Sequence, residues 1–275
     1  MIRSLRPSDI PAGMWLKEAA GWNQTEQDWA NLLELAPDGC FGIDCEGVLA
    51  ATAAAVCYGR ALAWIGMVLT APEFRGRGFA RRLMEHTLDY LFARGIEWIK
   101  LDATDMGRPL YAKLGFQDEG LIERWARPPF PDPPSCPSGL APLRLDALDT
   151  PLDLEAFGAD RVAILHRVAV ESACIPGRAY AMGRPGSKAP CFGPCVSRSA
   201  EAARSLLEWF LAVHPGESVF WDLLPANPDA LRLAQEFGFE RRRQLVRMAL
   251  PGVPNPAPFA HNDAAVFAIA GFEYG

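Results

Sequence analysis

The sequence predicts an α/β fold built on a mixed, α+β-type sheet and divided into two tandem domains. Three observations predict it. Residues 61–116 run in the order strand, glycine-rich loop, helix, strand, short helix. Six prolines crowd the ten positions 128–137, a composition that suits neither helix nor central strand and reads as a stiff linker. Beyond it the element order repeats, as an internal duplication would. The domains are expected at 1–127 and 139–275, with 128–138 between them. A chain of 275 residues, 50% of them hydrophobic, is long enough for two sizeable cores.

Residues 20–29 hold Trp22, Asn23 and Trp29 in an N-terminal helical region. On one continuous helix Trp22 and Trp29, seven apart, would share a face. The apolar run 61–70 reads as a strand and leads into Arg75-Gly76-Arg77-Gly78-Phe79-Ala80. Gly76 and Gly78 can adopt backbone angles barred to other residues and bring their amides close to a ligand. The helix beginning near Arg81 aims its unsatisfied N–H groups at the same point, so the loop reads as a phosphate cradle. Met84, Leu88, Leu91 and Phe92 give that helix an apolar stripe, and Gly95 stops it. Residues 98–104 form the next strand, and 107–116 a short helix with Pro109 in its first turn and Gly115 at its end.

The second half repeats the pattern with a helix over 160–171, strands over 178–183 and 192–196, a helix over 200–213, a strand over 218–224 and a helix over 229–237. Gly238-Phe239 echoes Gly115-Phe116, but Ala234 stands where Tyr111 would fall. The strand ending at Val196 runs into Ser197-Arg198-Ser199-Ala200 without a glycine loop. Ser199 is placed to cap its helix. The apolar run 264–272 reads as a closing strand whose removal would expose a sheet edge.

Composition narrows the function classes. The net charge of −6 disfavours a nucleic-acid binder, although Arg75, Arg77, Arg81 and Arg82 form a local basic group suited to a polyphosphate. No apolar run approaches the roughly 20 residues of a membrane span, and the N-terminus lacks a signal-peptide core, so the protein is expected in the cytoplasm, without a membrane partner. Seven scattered cysteines do not form a disulfide framework, and Cys191-Phe-Gly-Pro-Cys195 lacks a second pair, so no metal is expected. The loop is neither a Walker A motif, having no Gly-Lys-Ser/Thr, nor a dinucleotide fingerprint, having Arg81 where a third glycine belongs.

Residues 64–116 resemble the GCN5-related N-acetyltransferases. The family's signature is Arg or Gln, two residues, Gly, one residue, then Gly or Ala, and Arg75, Gly78 and Ala80 meet it. Leu110-Tyr111-x-x-Leu114-Gly115-Phe116 resembles a second hallmark of the family. The resemblance implies that amides of the loop from Arg75 to Arg81 hold the pyrophosphate of acetyl-CoA as cosubstrate. It also implies that a splayed strand ending Met67-Val68-Leu69 pairs with the pantetheine arm. The second half resembles the family only in element order and one Gly-Phe pair, so it is read as a degenerate copy that binds no CoA.

Acetyl transfer to an amine needs a base, an oxyanion donor and a proton for the departing sulfur. The resemblance assigns the last to Tyr111 and the oxyanion donor to a backbone N–H near Val68 or Leu69. Relatives often carry a Glu on the acetyl-CoA strand, but residues 61–70 contain no carboxylate. Asp102, a water relay or direct proton loss to solvent remains for the base. By the same resemblance, Trp22 and Asn23 line the acceptor side, and a small amine-bearing molecule is the expected acceptor. A non-catalytic acyl-CoA sensor, an interaction scaffold whose second half recruits a partner and a transferase for a longer acyl donor stand as alternatives, and the oligomeric state is left open.

Overall fold

The structure, a computed structural model, describes residues 1–129, 134–144 and 148–275; residues 130–133 of the expected linker lie outside them. The chain begins with β1 (Ile2–Ser4), α1 (Ile10–Ala19), α2 (Glu26–Leu35), β2 (Cys40–Cys45), β3 (Val48–Tyr58) and β4 (Leu62–Thr70). Next come α3 (Phe79–Ala93), β5 (Trp98–Ala103), α4 (Arg108–Lys113) and β6 (Gln117–Arg127). Then follow β7 (Ala141–Pro142), α5 (Thr150–Phe157), α6 (Val162–Val168), β8 (Glu171–Ile175), β9 (Ala179–Arg184) and β10 (Cys191–Ser197). The chain closes with α7 (Ala200–Val213), β11 (Val219–Leu223), α8 (Pro228–Glu236), β12 (Glu240–Pro251) and β13 (Val266–Ala268).

These elements form two compact units, neither of them one continuous stretch. Unit 1 takes Met1–Glu119, Met248–Pro258 and Phe272–Gly275, and unit 2 takes Gly120–Arg247 and Phe259–Gly271. Strand β6 thus begins in unit 1 and ends in unit 2, and β12 does the reverse. In unit 1 the strand order is β1-β2-β3-β4-β5 followed by the last residues of β12. All neighbours from β1 to β4 are antiparallel, whereas β4 and β5 run parallel. In unit 2 the order is β12-β6-β11-β10-β9-β8-β7, with β13 pairing β10.

Local chemistry sets the boundaries around the site. The Thr25 hydroxyl accepts from Asp28 N while Asp28 Oδ2 accepts from Thr25 N at 2.7 Å, a reciprocal cap that starts α2. Residues 20–25 are therefore a connection between two helices, not part of one. Trp22 and Trp29 share no helical face: Trp29 packs inside against Gly13, and Trp22 stands on the connection. Alternation along β2 sends Phe41 to one face of the sheet, where its ring meets His86 and Tyr90 of α3 edge-on. Cys40 goes to the other face, 3.6 Å from Leu32 O of α2. The unit 1 sheet thus separates α3 from α2.

Helix α3 buries Leu83, Met84, Thr87, Leu88 and Leu91, but Phe92 is 43% exposed. At about 100° per residue, Met84, Leu88 and Leu91 fall close together with Leu83 and Thr87 to one side, and position 92 lies off the opposite edge. In unit 2, α7 begins at its Ser199 cap and buries Leu206, Leu207, Phe210 and Leu211 in the core around Phe192 and Trp221. Residues 160–171, read as one helix, divide into α6 and the start of β8. Among the described residues no helix is long and apolar enough to cross a membrane, and no cluster of three or more metal-ligating side chains occurs.

Candidate active site

The site begins where β4 and β5 part. They pair only at Leu62–Trp98, Ala63–Ile99 and Trp64–Lys100, although β4 continues to Thr70 and β5 to Ala103. On its other side β4 slips register against β3, where Thr52 faces Leu69 and Ala54 faces Gly66. Within that slip Met67 takes φ +51, a left-handed conformation that costs a non-glycine residue roughly 1–2 kcal/mol. The Thr52 hydroxyl donates to Met67 O at 2.8 Å and fixes the distortion. A bulge of this kind re-aims the backbone that follows it. Met67, Val68 and Leu69 therefore lie on the unpaired stretch, with backbone groups not consumed by the β4–β5 ladder.

The glycine loop lies directly beyond. Gly76 and Gly78 take φ +75 and +78, and a Cβ on either would meet nothing within 4 Å, so their backbone faces open space. Gly78 is the N-cap of α3. A groove of about 470 Å³ runs over Thr70, Gly76, Gly78, Phe79, Ala80 and Arg81, with Leu110 and Lys113 of α4 opposite. Thr70 Oγ1 is buried there without a hydrogen-bond partner. An orphaned hydroxyl, two open glycines and the α3 N-terminus fit an anionic, polyphosphate-bearing ligand.

The arginines divide their work. Arg81 lines the groove and pairs with Glu85 at 2.8 Å. Arg77 turns to Glu46 at 3.1 Å and lies over the Phe74 and Phe79 rings. Arg75 Nε donates to Thr70 O at 3.4 Å. Lys113, which sequence reasoning missed, is the basic side chain that α4 adds to the groove; only the placement of α4 opposite the loop reveals it.

Tyr111, on the same helix, is 8% exposed. Its ring meets Phe116 at 6.2 Å, and Gly107 lies so close that a Cβ there would fall 2.8 Å from the ring. Burial pushes the phenol well above the ordinary tyrosine range, so it holds its proton at neutral pH. Asp102 is half-buried on β5. By alternation it shares a face with Lys100, whose ammonium meets Glu119 at 2.7 Å.

On the α2 face of β4 lies a feature the sequence did not suggest. Residues Phe272–Gly275 cover it and belong to unit 1. Trp64 Nε1 donates to Phe272 O at 3.0 Å, and the Tyr58 hydroxyl donates to Tyr274 O at 2.6 Å. The Tyr274 hydroxyl donates to Asp28 O at 3.2 Å. Gln24 Nε2 donates to Glu273 Oε2 at 2.8 Å, and Asn23 is buried beside Gln24 in the chain. Gly66 makes the fit possible, since a Cβ there would stand 2.7 Å from Glu273 Cα.

Unit 2 contains the corresponding split but fills it with its own chain. Strands β10 and β11 pair in parallel only at Cys191–Phe220 and Phe192–Trp221. Beyond that point β13 pairs with β10 through Cys195–Ala268 and Val196–Val266. Ile269 N donates to Asp222 O at 3.0 Å, and Trp221 Nε1 donates to Phe267 O at 2.7 Å. The expected closing strand over 264–272 is shorter, the three residues of β13, and lies inside the split along β10. Its apolar run signalled burial, whereas its partner was set by a gap that only the fold creates. Cys191 and Cys195 are buried, with the Cys195 thiol pushed up by that burial.

An acetyltransferase (GNAT) family model matches residues 10–116, and an acetyltransferase (GNAT) domain model matches residues 150–261. A stretch of 161 residues is 29% identical to YitH of Bacillus subtilis (strain 168), described as an uncharacterized N-acetyltransferase. That match covers 54% of this chain and 56% of YitH, little more than half of either. Among solved structures, a putative acetyltransferase from Pyrococcus horikoshii superposes with a TM-score of 0.87 at 21% identity, covering 100% of this chain and 95% of that one. A tandem GNAT protein from the clavulanic acid biosynthesis pathway gives 0.61 at 15% identity over 93% and 99% of the two chains. At these identities the likeness is one of fold.

Proposed function

The chain belongs to the GNAT acetyltransferases and carries two of their domains in tandem, and from that premise we propose that unit 1 moves an acetyl group from acetyl-CoA to the amine of a small molecule. The observation that carries the reading is the unpaired stretch of β4, held open at Met67 and leading into the glycine groove at the α3 N-terminus. Acetyl-CoA is the cosubstrate and brings the thioester. Loop amides from Gly76 to Arg81, with Arg81 and Lys113, hold its pyrophosphate, and the backbone at Met67–Leu69 pairs with the pantetheine arm. An N–H of Val68 or Leu69 stabilises the oxyanion, while Tyr111 supplies the proton to the sulfur. Trp22 and Asn23 stand on the acceptor side.

Calorimetry with acetyl-CoA, followed by thiol titration of CoA release across a panel of amines and amino acids, tests the reading. The expected result is saturable binding and amine-dependent release. A folded chain that binds no acetyl-CoA, or releases no CoA with any amine, would overturn it.

A further inference from the structure

Strand β4 has no carboxylate, and acetyl transfer from an ammonium acceptor needs somewhere for its proton to go. The tail places one there. Glu273 lies with its Cα against Gly66, the residue immediately before the Met67 distortion, and its side chain is only 2% exposed. On the same face, Gln24 is 4% exposed, gives its amide N–H to the Glu273 carboxylate, and leaves its own Oε1 buried without a hydrogen-bond partner. A buried amide oxygen without a partner, beside a buried carboxylate, suits a ligand that carries N–H donors. Three hydrogen bonds from Trp64, Tyr58 and Tyr274 lock the tail in position.

We infer that Phe272–Gly275 builds the acceptor site of unit 1, with Glu273 as the carboxylate that receives the ammonium of a primary amine and takes its proton. This rests on the acetyl-transfer reading of unit 1. An entering R–NH3⁺ displaces the Gln24 amide N–H from Glu273 Oε2, and a rotated Gln24 amide offers Oε1 to a second N–H. Glu273 takes one proton, leaving R–NH2, whose lone pair forms the C–N bond to the thioester carbonyl as the C=O electron pair moves to oxygen. Collapse restores C=O and breaks C–S. Tyr111 protonates the departing thiolate and is reprotonated by the nitrogen's second proton. The sum is one acetamide, one CoA thiol and the Glu273 proton released to solvent. Glu273 is thereby a second catalytic residue, drawn from the far end of the chain.

The test uses the full chain and its E273Q and E273D variants, with melting curves to verify folding. Binding of n-butylammonium, 1,4-diaminobutane and glycinamide is followed by saturation-transfer NMR in the presence of CoA. Acetyl-CoA affinity is measured separately by calorimetry. Wild type is expected to bind at least one amine, E273Q to bind it at least about tenfold more weakly through loss of a charged hydrogen bond, and E273D to fall between them. Acetyl-CoA affinity should be the same in all three. No binding of any of the three amines to wild type, equal binding by folded E273Q, or tighter binding in either variant would overturn the inference; the last would mark the tail as an inhibitory plug. Loss of acetyl-CoA binding in wild type would instead defeat the acetyl-transfer reading, while the amine arm still judges Glu273. If E273Q does not fold, wild-type amine affinity in folded E273D is the overturning result.

Discussion

Replacing Tyr111 with Phe removes one oxygen from a side chain that is 8% exposed. Its ring stays wedged between Gly107 and Phe116, and burial alone accounts for its raised pKa. No hydrogen bond to the phenol occurs among the described residues, so the substitution breaks none in the free protein. Folding should change by about 0.5 kcal/mol or less, a melting shift of roughly 1–2 °C for a chain of this size. Turnover should fall by about 10²-fold, the scale for losing a positioned proton donor, equivalent to about 2.7 kcal/mol in the barrier. Because the phenol keeps its proton above the ordinary tyrosine range, the wild-type rate should show no alkaline loss from this group below about pH 10. The assay measures kcat, acetyl-CoA affinity and a melting curve on one preparation, with a pre-steady-state experiment to establish that chemistry limits turnover. An unchanged kcat under those conditions would refute the assignment and leave Tyr111 a packing residue.

Thr52→Val deletes the donor to Met67 O and should cost about 1–3 kcal/mol in chemical denaturation while weakening acetyl-CoA binding, because the β4 distortion loses its support. Asn227→Ala removes the cap of α8 and both donations to Ala264 O and Val266 O. It should cost roughly 2–4 kcal/mol by the same assay and leave acetyl-CoA affinity intact. The Cys40 thiol is pushed up from 9.0 to about 12 by burial. Above pH 9 the unfolded chain therefore releases a proton that the folded chain keeps. The stability this group supports is whole below pH 9 and is lost as pH rises toward 12, at up to about 1.4 kcal/mol per pH unit. Cys40→Ala should flatten that part of the slope in denaturation curves at pH 8 and pH 10.

What the sequence disclosed was local. The run from Arg75 to Ala80, the helix after it and the Tyr111 segment are set by glycines, caps and periodicity, all readable within a few residues. Ser199 capping α7 is legible for the same reason. What it concealed was non-local. Phe272–Gly275 is too short to show a period, and its burial comes from donors on Trp64, Tyr58 and Gln24, some two hundred residues or more away in the chain. Apolar character in 264–272 predicted burial, but its place between β10 and β11 depends on how those strands part. Phe92 shows the limit of a stripe read by spacing alone, since an apolar residue at the margin of the face need not be covered. Lys113 and Thr70 drew no notice because their meaning arises only when α4 and the end of β4 border one groove.

Under the proposed function the split in unit 1 takes acetyl-CoA, whereas β13 fills the split in unit 2. The stoichiometry of acetyl-CoA binding to the full chain, by calorimetry, tests this assignment most directly when repeated on Gly78→Glu. That variant puts a carboxylate in the open space of the cradle, against the electropositive end of α3, at a φ of +78 that costs a side chain roughly 1–2 kcal/mol. One site per chain is expected in wild type and none in the folded variant. Two sites per chain, or one site that survives Gly78→Glu, would contradict the assignment.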